Sequence, residues 1–383
     1  MSEFKDKNLL IITNSYPDED NRHYGGIFVK EQVRYLARHF NGIYIISPQP
    51  YGSNRNLRDY EYDNVRVYYP RFFHLPVEFF RKRLGDNFFK AAMRVIKREK
   101  LEFDLIHAHF TWPGGYAGVK LAKEFEVPVV ITIHENRDWF LREYNSGNEK
   151  IYWTWKNATA LIRVNKKDVP LLREFNPNVY SIPNGFNPGR LKIIEKKAAR
   201  AELGLKDDAK IIFSLGALIE RKGFHYLIDA MHLVIRKRKD VICFVGGSGP
   251  LKKRLQQQIN RLGLQNHVKL LGFVPDDQLA LWMNAADLFV LPSLSEGNPT
   301  VMFEALGVGL PFIGTTVGGV PEIIISDDYG LLCSPADPEC LAEKILIALE
   351  KDWDREKIRE YAGQFTWENI VKEIIKIATK IMQ

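Results

Sequence analysis

The sequence predicts an α/β protein with two doubly wound, Rossmann-like domains that face a central cleft. Short apolar runs rich in Val and Ile alternate with amphipathic stretches, and this alternation restarts after about residue 190. Alternating strands and helices are typical of parallel sheets covered by helices on both faces. The length of 383 residues also suits two domains of ordinary size.

The apolar runs are predicted to be buried strands, and the amphipathic stretches helices. The predicted strands cover residues 9–12, 42–47, 105–107, 128–134, 211–215, 241–245, 268–271, 288–291 and 311–314. The predicted helices cover residues 28–39, 114–125, 224–236, 251–262, 278–285 and 300–306. Ligands bind this architecture at the carboxyl ends of the strands, so we expect the functional residues just after strands.

A cluster of turn residues marks the predicted boundary between the domains. Asn-Gly, Asn-Pro and Pro-Gly pairs fall within residues 184–190, and a charged segment follows over residues 192–200. We therefore assign residues 1–190 to an N-terminal domain and residues 191–365 to a C-terminal domain.

Composition excludes several classes of protein. The 45% hydrophobic and 26% charged residues are those of a globular chain. Three cysteines are too few for a disulfide scaffold and lack the spacing of a zinc cluster. No run approaches the ~20 apolar residues that span a bilayer, and no signal-peptide core is visible near the start. We therefore expect a cytoplasmic protein.

Most of the positive charge lies in the first half of the chain. The net charge is +7, and residues 1–189 hold 28 Lys and Arg against 22 Asp and Glu. A nucleic acid, an anionic membrane surface or an anionic acceptor could each be attracted by this charge.

Two loops that follow predicted strands combine glycine with features that suit an anion. Gly25 and Gly26 precede a helix, where glycine lets the backbone approach a ligand and the helix start offers N–H groups, although a flexible turn explains them equally well. The second loop starts at Gly216 and carries Arg221 and Lys222 just before a predicted helix. The helix dipole disfavours cations there, and a bound anion would offset this effect, whereas the alternative is a solvated surface pair.

The most specific signal is the segment of residues 291–305, which joins a buried strand to a helix. Asn298, Pro299 and Thr300 stand at the predicted helix start, where proline is tolerated and unpaired N–H groups can bind a phosphate. Glu304 lies one turn further, too deep for a simple cap, and its carboxylate could accept a pair of hydroxyl hydrogens, as from a ribose. Glu296 precedes the helix and is expected to face the cleft.

Further strand ends carry glycine turns or histidines. Turns at residues 246–250 and 318–322 bring the number of glycine-bearing or phosphate-compatible strand ends to five, which folding alone explains poorly. His107, His109 and His134 also stand at strand ends, and a metal site is not expected, because no Asp or Glu lies at ligand spacing. The dinucleotide-binding and P-loop fingerprints are absent, which disfavours a nicotinamide dehydrogenase or a P-loop nucleotidase.

Taken in order, these motifs resemble the retaining GT-B glycosyltransferases of family 4, from about residue 9 to residue 370. The resemblance rests on Gly25-Gly26, His107-Ala108-His109, His134, Pro183-Asn184-Gly185, Arg221-Lys222-Gly223, Gly247-Ser248-Gly249-Pro250, the Glu296-x7-Glu304 element and Gly318-Gly319-Val320-Pro321-Glu322. The segment Thr13-Asn14-Ser15-Tyr16-Pro17 also resembles enzymes that assemble teichuronic-acid-type polysaccharides.

The resemblance implies a role for each motif. A sugar nucleotide, with UDP favoured, would lie on the C-terminal domain without a metal or other cofactor. The implied catalytic residues are Glu296, Lys222, Arg221 and His134; the implied donor-binding residues are Gly25, Gly26, Gly216, Phe273, Val274, Asn298, Pro299, Thr300 and Glu304; and His109 is implied on the acceptor side. Residues 366–383 would form a helix that packs back on the first domain.

The resemblance also implies a retaining transfer of a sugar to a glycan or lipid-linked acceptor, in cell-surface polysaccharide or glycolipid synthesis. One position departs from the family pattern: Ala217 stands where the family often has an arginine, and Arg221 could replace that cation. A non-catalytic sugar-nucleotide-binding protein and another GT-B enzyme, such as an epimerase or phosphorylase, are the alternatives.

Residues 78–100 combine basic residues with phenylalanines. They are interpreted either as a solvated helix with a packed apolar face or as an interfacial helix on anionic lipid. Because lipid-linked acceptors are common in the resembled family, we expect peripheral contact with the inner face of the cell membrane. Nucleic-acid binding is disfavoured, because the charge is local and no aromatic stacking motif accompanies it.

Overall fold

The computed structural model describes residues 4–21, 25–53, 57–74 and 78–383, with side chains throughout these ranges except at residues 78–82. The chain divides into two compact units. Unit 1 comprises Met1–Pro183 and Trp367–Gln383, and unit 2 comprises Asn184–Thr366.

Unit 1 alternates strands and helices along most of its length. Its strands are β1 (Phe4–Ile12), β2 (Phe40–Ile46), β3 (Gln49–Pro50), β4 (Tyr60–Tyr62), β5 (Val65–Tyr68), β6 (Arg71–Phe72), β7 (Leu105–His109), β8 (Val129–Ile133), β9 (Ala160–Arg163) and β10 (Val179–Ser181). Its helices are α1 (Ile27–Leu36), α2 (Glu78–Glu99), α3 (Tyr116–Phe125), α4 (Arg137–Tyr144), α5 (Glu149–Asn157), α6 (Val169–Arg173) and α15 (Trp367–Met382).

The main sheet of unit 1 has the strand order β10-β9-β8-β7-β1-β2-β5-β4 over the described residues. Every pairing is parallel except that of β4 with β5 at the edge. The predicted parallel sheet is confirmed, apart from this one antiparallel pair at its edge. The two strands are joined by a tight turn in which Asp63 is left-handed, with φ 49°, and a turn this short can join only antiparallel neighbours.

Helix α15 belongs to the core of unit 1. Trp367, Ile370 and Val371 are buried in one hydrophobic cluster with Leu9 of β1 and Val29 of α1. The apolar face of α15 therefore completes one side of the unit 1 sheet, which covers the strands as the two-faced packing of a doubly wound unit requires.

Helix α2 uses its described aromatic residues for packing. Phe88 is buried against Phe72, with ring centroids 5.2 Å apart, and Phe89 packs against the same core under the ammonium group of Lys120. The interfacial interpretation, in which these phenylalanines insert into lipid, is therefore wrong for Phe88 and Phe89. Glu78, Phe79, Phe80, Arg81 and Lys82 lie outside the residues whose side chains are described.

Unit 2 repeats the alternation. Its strands are β11 (Lys210–Leu215), β12 (Val241–Gly246), β13 (Val268–Gly272), β14 (Leu288–Leu291), β15 (Phe312–Thr315) and β16 (Gly330–Cys333). Its helices are α7 (Lys196–Glu202), α8 (Phe224–Lys237), α9 (Lys252–Arg261), α10 (Asp276–Ala285), α11 (Thr300–Gly307), α12 (Val320–Ile323), α13 (Pro338–Glu350) and α14 (Arg355–Ala362). The sheet order is β13-β12-β11-β14-β15-β16, with every pairing parallel.

Each predicted strand overlaps a strand of the structure, but the short strands β3 to β6, of two to four residues each, were not predicted, and neither were β9, β10 and β16. Strand β9 ends in a buried arginine, Arg163, which interrupts the apolar pattern. Strand β10 has three residues and β16 has four, so neither gives a recognisable period. Neighbouring strands, rather than the local sequence, determine these three elements.

Candidate active site

Four loops of unit 2 meet at the carboxyl edge of its sheet, and glycines let them pack backbone against backbone. A Cβ on Gly223 would lie 2.0 Å from the carbonyl oxygen of Pro292, and a Cβ on Gly247 would lie 1.8 Å from that of Gly216. A Cβ on Gly318 would lie 2.1 Å from the carbonyl oxygen of Glu296. The expectation that folding alone explains these turns poorly is therefore wrong at Gly223, Gly247 and Gly318, because loop packing requires glycine there.

A compact charge cluster lies where the loops after β11 and β14 touch. The Lys222 Nζ donates to Glu296 Oε1 at 2.6 Å, and Arg221 Nη1 donates to Glu296 Oε2 at 2.9 Å. The Ser293 hydroxyl adds a third hydrogen bond to Glu296 Oε1 at 2.6 Å. Burial by itself would raise the pKa of Glu296, but the two cations and these hydrogen bonds lower the pKa below its usual value.

The position of the two cations corrects one expectation. Arg221 and Lys222 lie in a short 3-10 turn, Glu220–Lys222, and Gly223 separates them from α8, which begins at Phe224. The single carboxylate of Glu296 bonds both cations, so the cluster keeps a net positive charge that a bound anion could offset. The two cations are not a solvated pair, because the Lys222 side chain is only 13% exposed.

Asn298 is a buried polar side chain at the start of α11. The residue is 5% exposed, and neither its amide oxygen nor its amide nitrogen makes a hydrogen bond to any residue that the structure describes. Its backbone oxygen accepts from Asn184 Nδ2 at 2.7 Å. Helix α11 follows with Pro299 as its N-cap and Thr300 as its first residue, and no side chain caps it. Unpaired amide groups beside a helix start suit an anionic or polar ligand.

Glu304 lies one turn into α11 and is held by an arginine. Arg190 Nη1 donates to Glu304 Oε1 at 2.6 Å, and Arg190 Nη2 donates to Asp276 Oδ1 at 2.7 Å. The side chains of Glu304 and Arg190 are 9% and 12% exposed. The Glu304 carboxylate is therefore fixed inside unit 2, near the start of the helix that carries it.

The remaining predicted residues of unit 2 differ in their packing and exposure. A Cβ on Gly216 would make only ordinary contacts, at 3.4 Å or more, so packing does not require glycine there. Phe273 is 53% exposed, whereas Val274 is buried in the core. The structure thus contradicts a side-chain contact between Val274 and a ligand and leaves only its backbone for that role. Ala217 is exposed.

The predicted histidines of unit 1 come together at the ends of β7 and β8. His109 Nδ1 and His134 Nε2 are 2.9 Å apart, and the two rings stack. His109 is fully buried, and burial lowers its pKa well below the usual value, with further lowering from His107 and His134. A direct contact between His109 and an acceptor does not fit this conformation, because no surface of its ring is exposed. His109 instead orients His134, which is half-buried.

Beside His134 lie two buried carboxyl groups that the sequence did not single out. Glu135 Oε1 accepts from the backbone N–H of Thr111 at 2.6 Å, and Glu143 Oε1 accepts from the indole N–H of Trp139 at 3.1 Å. Burial raises the pKa of both groups, and the neighbouring Glu135 helps to raise that of Glu143, which reaches about 9. The pair therefore holds at least one proton at neutral pH.

Gly26 has a backbone role in unit 1. It is left-handed, with φ 81°, at the N-cap of α1, and a Cβ there would lie 2.2 Å from the carbonyl oxygen of Ser15. Asn14 ties this loop to the segment after β7, because its amide bonds the carbonyl oxygen of Trp112 and the N–H of Gly114, each at 3.0 Å. Gly25 lies in the same turn. Among the described residues, no three His, Cys, Asp or Glu side chains are grouped closely enough to hold a metal ion.

Sequence reasoning gave no role to three residues that contact the predicted ones: Ser293, Asn184 and Arg190. The segment 184–190 was interpreted as a boundary, because its turn residues are also those of linkers. Glu304 itself was the available signal, because a carboxylate that is buried this deeply requires a cation. Arg190 is the nearest arginine before α7 to which no role had been given.

Comparisons with known proteins identify the chain. A family model described as Glycosyl transferases group 1 matches residues 195–365, and one described as Glycosyltransferase Family 4 matches residues 25–190. A Bacillus subtilis glycosyltransferase, named TuaC for teichuronic acid biosynthesis, is 31% identical over 357 residues, which is 88% of each chain. The chain belongs to glycosyltransferase family 4. It is a glycosyltransferase enzyme, as the resemblance implied.

Solved structures confirm the fold of this glycosyltransferase. A sucrose-phosphate synthase from Thermosynechococcus elongatus superposes with a TM-score of 0.80 at 22% identity and covers 98% of both chains. The Anabaena protein HepE, in complex with UDP-glucose, gives a TM-score of 0.74 at 20% identity over 98% of this chain and 99% of that one. The predicted GT-B fold, with two Rossmann-like units, is thereby confirmed.

Proposed function

We propose that this glycosyltransferase transfers a sugar from a UDP-sugar, with retention, to a glycan or lipid-linked acceptor in cell-surface polysaccharide or glycolipid synthesis. The donor binds unit 2, and no metal takes part. Two names support the substrate classes: the related Bacillus subtilis protein is named for teichuronic acid biosynthesis, and HepE, which shares the fold, is described in complex with UDP-glucose.

The observation that carries the donor proposal is the arrangement around Glu296 and Asn298. Two cations, Arg221 and Lys222, lie on one side of Glu296, and the buried amide of Asn298 and the uncapped start of α11 follow it in sequence. A diphosphate needs cations and N–H donors, and a sugar needs amide and carboxylate groups that hydrogen-bond its hydroxyls. These groups occur together on one edge of the unit 2 sheet.

The leaving group explains how this set lowers the reaction barrier. When the bond between the sugar and the diphosphate breaks, negative charge grows on the diphosphate oxygen and the sugar becomes oxocarbenium-like. Lys222, Arg221 and the N–H groups at the start of α11 stabilise this charge more strongly in the transition state than in the bound donor. Glu296 keeps both cations in position before the donor binds.

Lys222→Ala tests the donor proposal through hydrolysis of UDP-glucose, GDP-glucose and ADP-glucose, measured as nucleotide release without an acceptor. A charge-assisted hydrogen bond is worth about 1.5–3 kcal/mol, so turnover of the preferred donor should fall by about 10–150-fold. Lys239→Ala, which removes an exposed lysine of the same unit, is the matched control and should keep wild-type turnover.

Two results would contradict the proposal. Wild-type turnover in both Lys222→Ala and Glu296→Ala, with both variants folded, would remove the diphosphate site from this cluster. Binding of every donor without any turnover in the wild type would contradict the mechanism.

Retention is proposed on the strength of the family resemblance, with attack from the face that the diphosphate leaves. It can be tested without an acceptor. Proton NMR of fresh UDP-α-glucose hydrolysis should show α-glucose first, before mutarotation. Initial release of β-glucose would exclude retention.

Peripheral membrane contact is proposed through a surface on unit 1 that combines exposed aromatic rings with basic residues of α2. Tyr51 and Phe73 are 61% and 58% exposed. They follow the paired strands β3 and β6, and the carbonyl oxygen of Phe73 accepts from Asn87 of α2 at 3.1 Å. The exposed side chains of Lys90 and Arg94 lie on the same helix. Such rings and cations suit an anionic bilayer surface.

Sedimentation with vesicles tests this surface. The wild type should bind phosphatidylglycerol vesicles at low salt and lose binding at 0.5 M salt, since the Debye length then falls well below about 10 Å. Lys90→Glu with Arg94→Glu should weaken binding, and equal binding to phosphatidylcholine vesicles would contradict an electrostatic contact. In the part of the chain that the structure describes, no helix is long and apolar enough to cross a membrane.

A further inference from the structure

Arg190 joins two elements of unit 2 that are far apart in sequence. Its guanidinium donates one hydrogen bond to Glu304 on α11 at 2.6 Å and another to Asp276, the first residue of α10, at 2.7 Å. The Arg190 and Glu304 side chains are 12% and 9% exposed, so their contact is shielded, whereas the Asp276 side chain is 35% exposed. A planar guanidinium can hold two carboxylates at a fixed spacing, which a lysine cannot do.

Both partners of Arg190 lie at or next to groups that are proposed to bind the nucleoside part of the donor. Glu304 is the carboxylate proposed for the ribose hydroxyls. Asp276 directly follows Phe273, Val274 and Pro275. The resemblance implies that Phe273 and Val274 bind the donor, and we take this strand end, where the Phe273 ring is exposed, to face the base. One side chain therefore fixes the distance between the proposed base and ribose sites.

The contact with Arg190 is compatible with ligand binding by Glu304. Each oxygen of a carboxylate can accept more than one hydrogen bond, so the bond from Arg190 Nη1 to Oε1 does not prevent Glu304 from accepting hydrogen bonds from hydroxyl groups of a ligand.

We propose that Arg190 is a positioning residue for the nucleoside end of the donor: it holds the Glu304 carboxylate in register with the segment before α10. This inference rests on the proposed function, because it takes the donor to be a sugar nucleotide bound by unit 2. Arg190 lies in the segment 184–190, which the sequence indicated as a domain boundary. Neither the motifs nor the comparisons gave this residue a role.

The experiment compares a nucleotide with its analogue that lacks the ribose hydroxyls. Dissociation constants of UDP and 2′,3′-dideoxy-UDP are measured by calorimetry for the wild type, Arg190→Met, Arg190→Lys and Glu304→Gln. If UDP does not bind, the GDP and ADP pairs are used. Arg200→Met is the matched control, since it breaks another shielded arginine–carboxylate pair of unit 2, with Asp287, away from Glu304.

The wild type should prefer UDP over the dideoxy analogue by about 10-fold or more, the value of one hydrogen bond to a charged group. Arg190→Met and Glu304→Gln should each reduce this preference to nearly 1, and Arg190→Lys should restore part of it. Combining the two substitutions should cause no further loss, because both act on the same contact. Arg200→Met should lower thermal stability and keep the wild-type preference.

The outcomes separate the inference from the proposed function. A wild-type preference in Arg190→Met, together with its loss in Glu304→Gln, would overturn the role of Arg190 and leave the ribose site intact. A wild-type preference in Glu304→Gln would overturn the ribose site itself. If the wild type bound none of the three nucleotides, the donor proposal would fail and the inference would fail with it.

Discussion

Two buried glutamates, one in each unit, meet opposite electrostatic conditions. In unit 2, Glu296 accepts hydrogen bonds from Lys222 and Arg221, and these cations lower its pKa despite burial. In unit 1, Glu143 is buried next to Glu135, and its pKa rises to about 9. Each residue is at most 6% exposed, so burial does not explain the difference.

The two pKa values shift in opposite directions because the nearest cations bond to different groups. Arg163 lies close to the carboxyl pair of unit 1, but its Nε and Nη2 donate to Asp168, and its Nη1 donates to the carbonyl oxygens of Ile133 and Glu135. No ion pair therefore reaches Glu143 among the residues that the structure describes. A buried carboxyl group is ionised where a cation bonds to it, and it keeps its proton where no cation does.

The largest effect is expected for Glu296→Gln. The substitution removes the negative charge to which Lys222 and Arg221 bond and leaves two partly buried cations together. Breaking such a pair costs about 3–5 kcal/mol, so the variant should unfold at a clearly lower temperature and lose most of its turnover. Calorimetry and donor hydrolysis measure both. A variant as stable as the wild type would show that the cluster contributes nothing to the fold.

Gly223→Ala is expected to have the next largest effect, because it tests how the loops around Glu296 are held together. The alanine would combine a left-handed conformation, φ 66°, with a clash against the Pro292 carbonyl, and the stability loss should exceed about 2 kcal/mol. Gly263→Ala is the control, since Gly263 has φ 68° and open space around its Cα. Equal losses in the two variants, measured by thermal unfolding, would remove the packing argument.

Glu143→Gln should have the smallest effect at pH 4.5 and the clearest pH dependence. The fold raises the pKa of this carboxyl from its ordinary 4.5 to about 9, so the folded protein holds the proton more tightly than the unfolded chain. Stability from this group is complete below pH 4.5 and is lost as pH rises towards 9. At pH 8.5 the variant should therefore be more stable than the wild type, by at least about 1.4 kcal/mol, the equivalent of one pKa unit.

The same variant at pH 4.5 should have nearly wild-type stability, because the glutamate is then protonated in the folded protein and still half protonated in the unfolded chain. Melting temperatures from pH 4.5 to 9 measure the difference. A constant difference across this range would show that Glu143 does not titrate as the structure indicates.

Local pattern was enough to predict much of this molecule. The Val- and Ile-rich runs gave the central strands of both sheets, and the spacing of Glu296 and Glu304 around a helix start gave the most specific part of the site. These features are local: a period of two or of 3.6 residues, or a proline that begins a helix, can be recognised without the rest of the chain.

The unpredicted features depend on contacts between distant residues. Arg190 meets Glu304 across 114 positions, and Asn184 meets Asn298 across the same separation. Nothing in a turn-rich segment indicates which carboxylate or carbonyl it will contact. The prediction for the glycine turns was wrong for the opposite reason. Their pattern is visible in the sequence, but it does not show whether the glycine makes room for a ligand or for a neighbouring loop.

The return of the chain to unit 1 has a consequence for biosynthesis. Unit 2 is continuous in sequence, whereas the unit 1 core includes Trp367, Ile370 and Val371, which the ribosome adds only after all of unit 2. The first 183 residues must therefore wait, with part of their apolar surface uncovered, while the later unit emerges and folds. During that interval the uncovered apolar surface is open to aggregation, and a stop codon after residue 366 would leave it uncovered permanently.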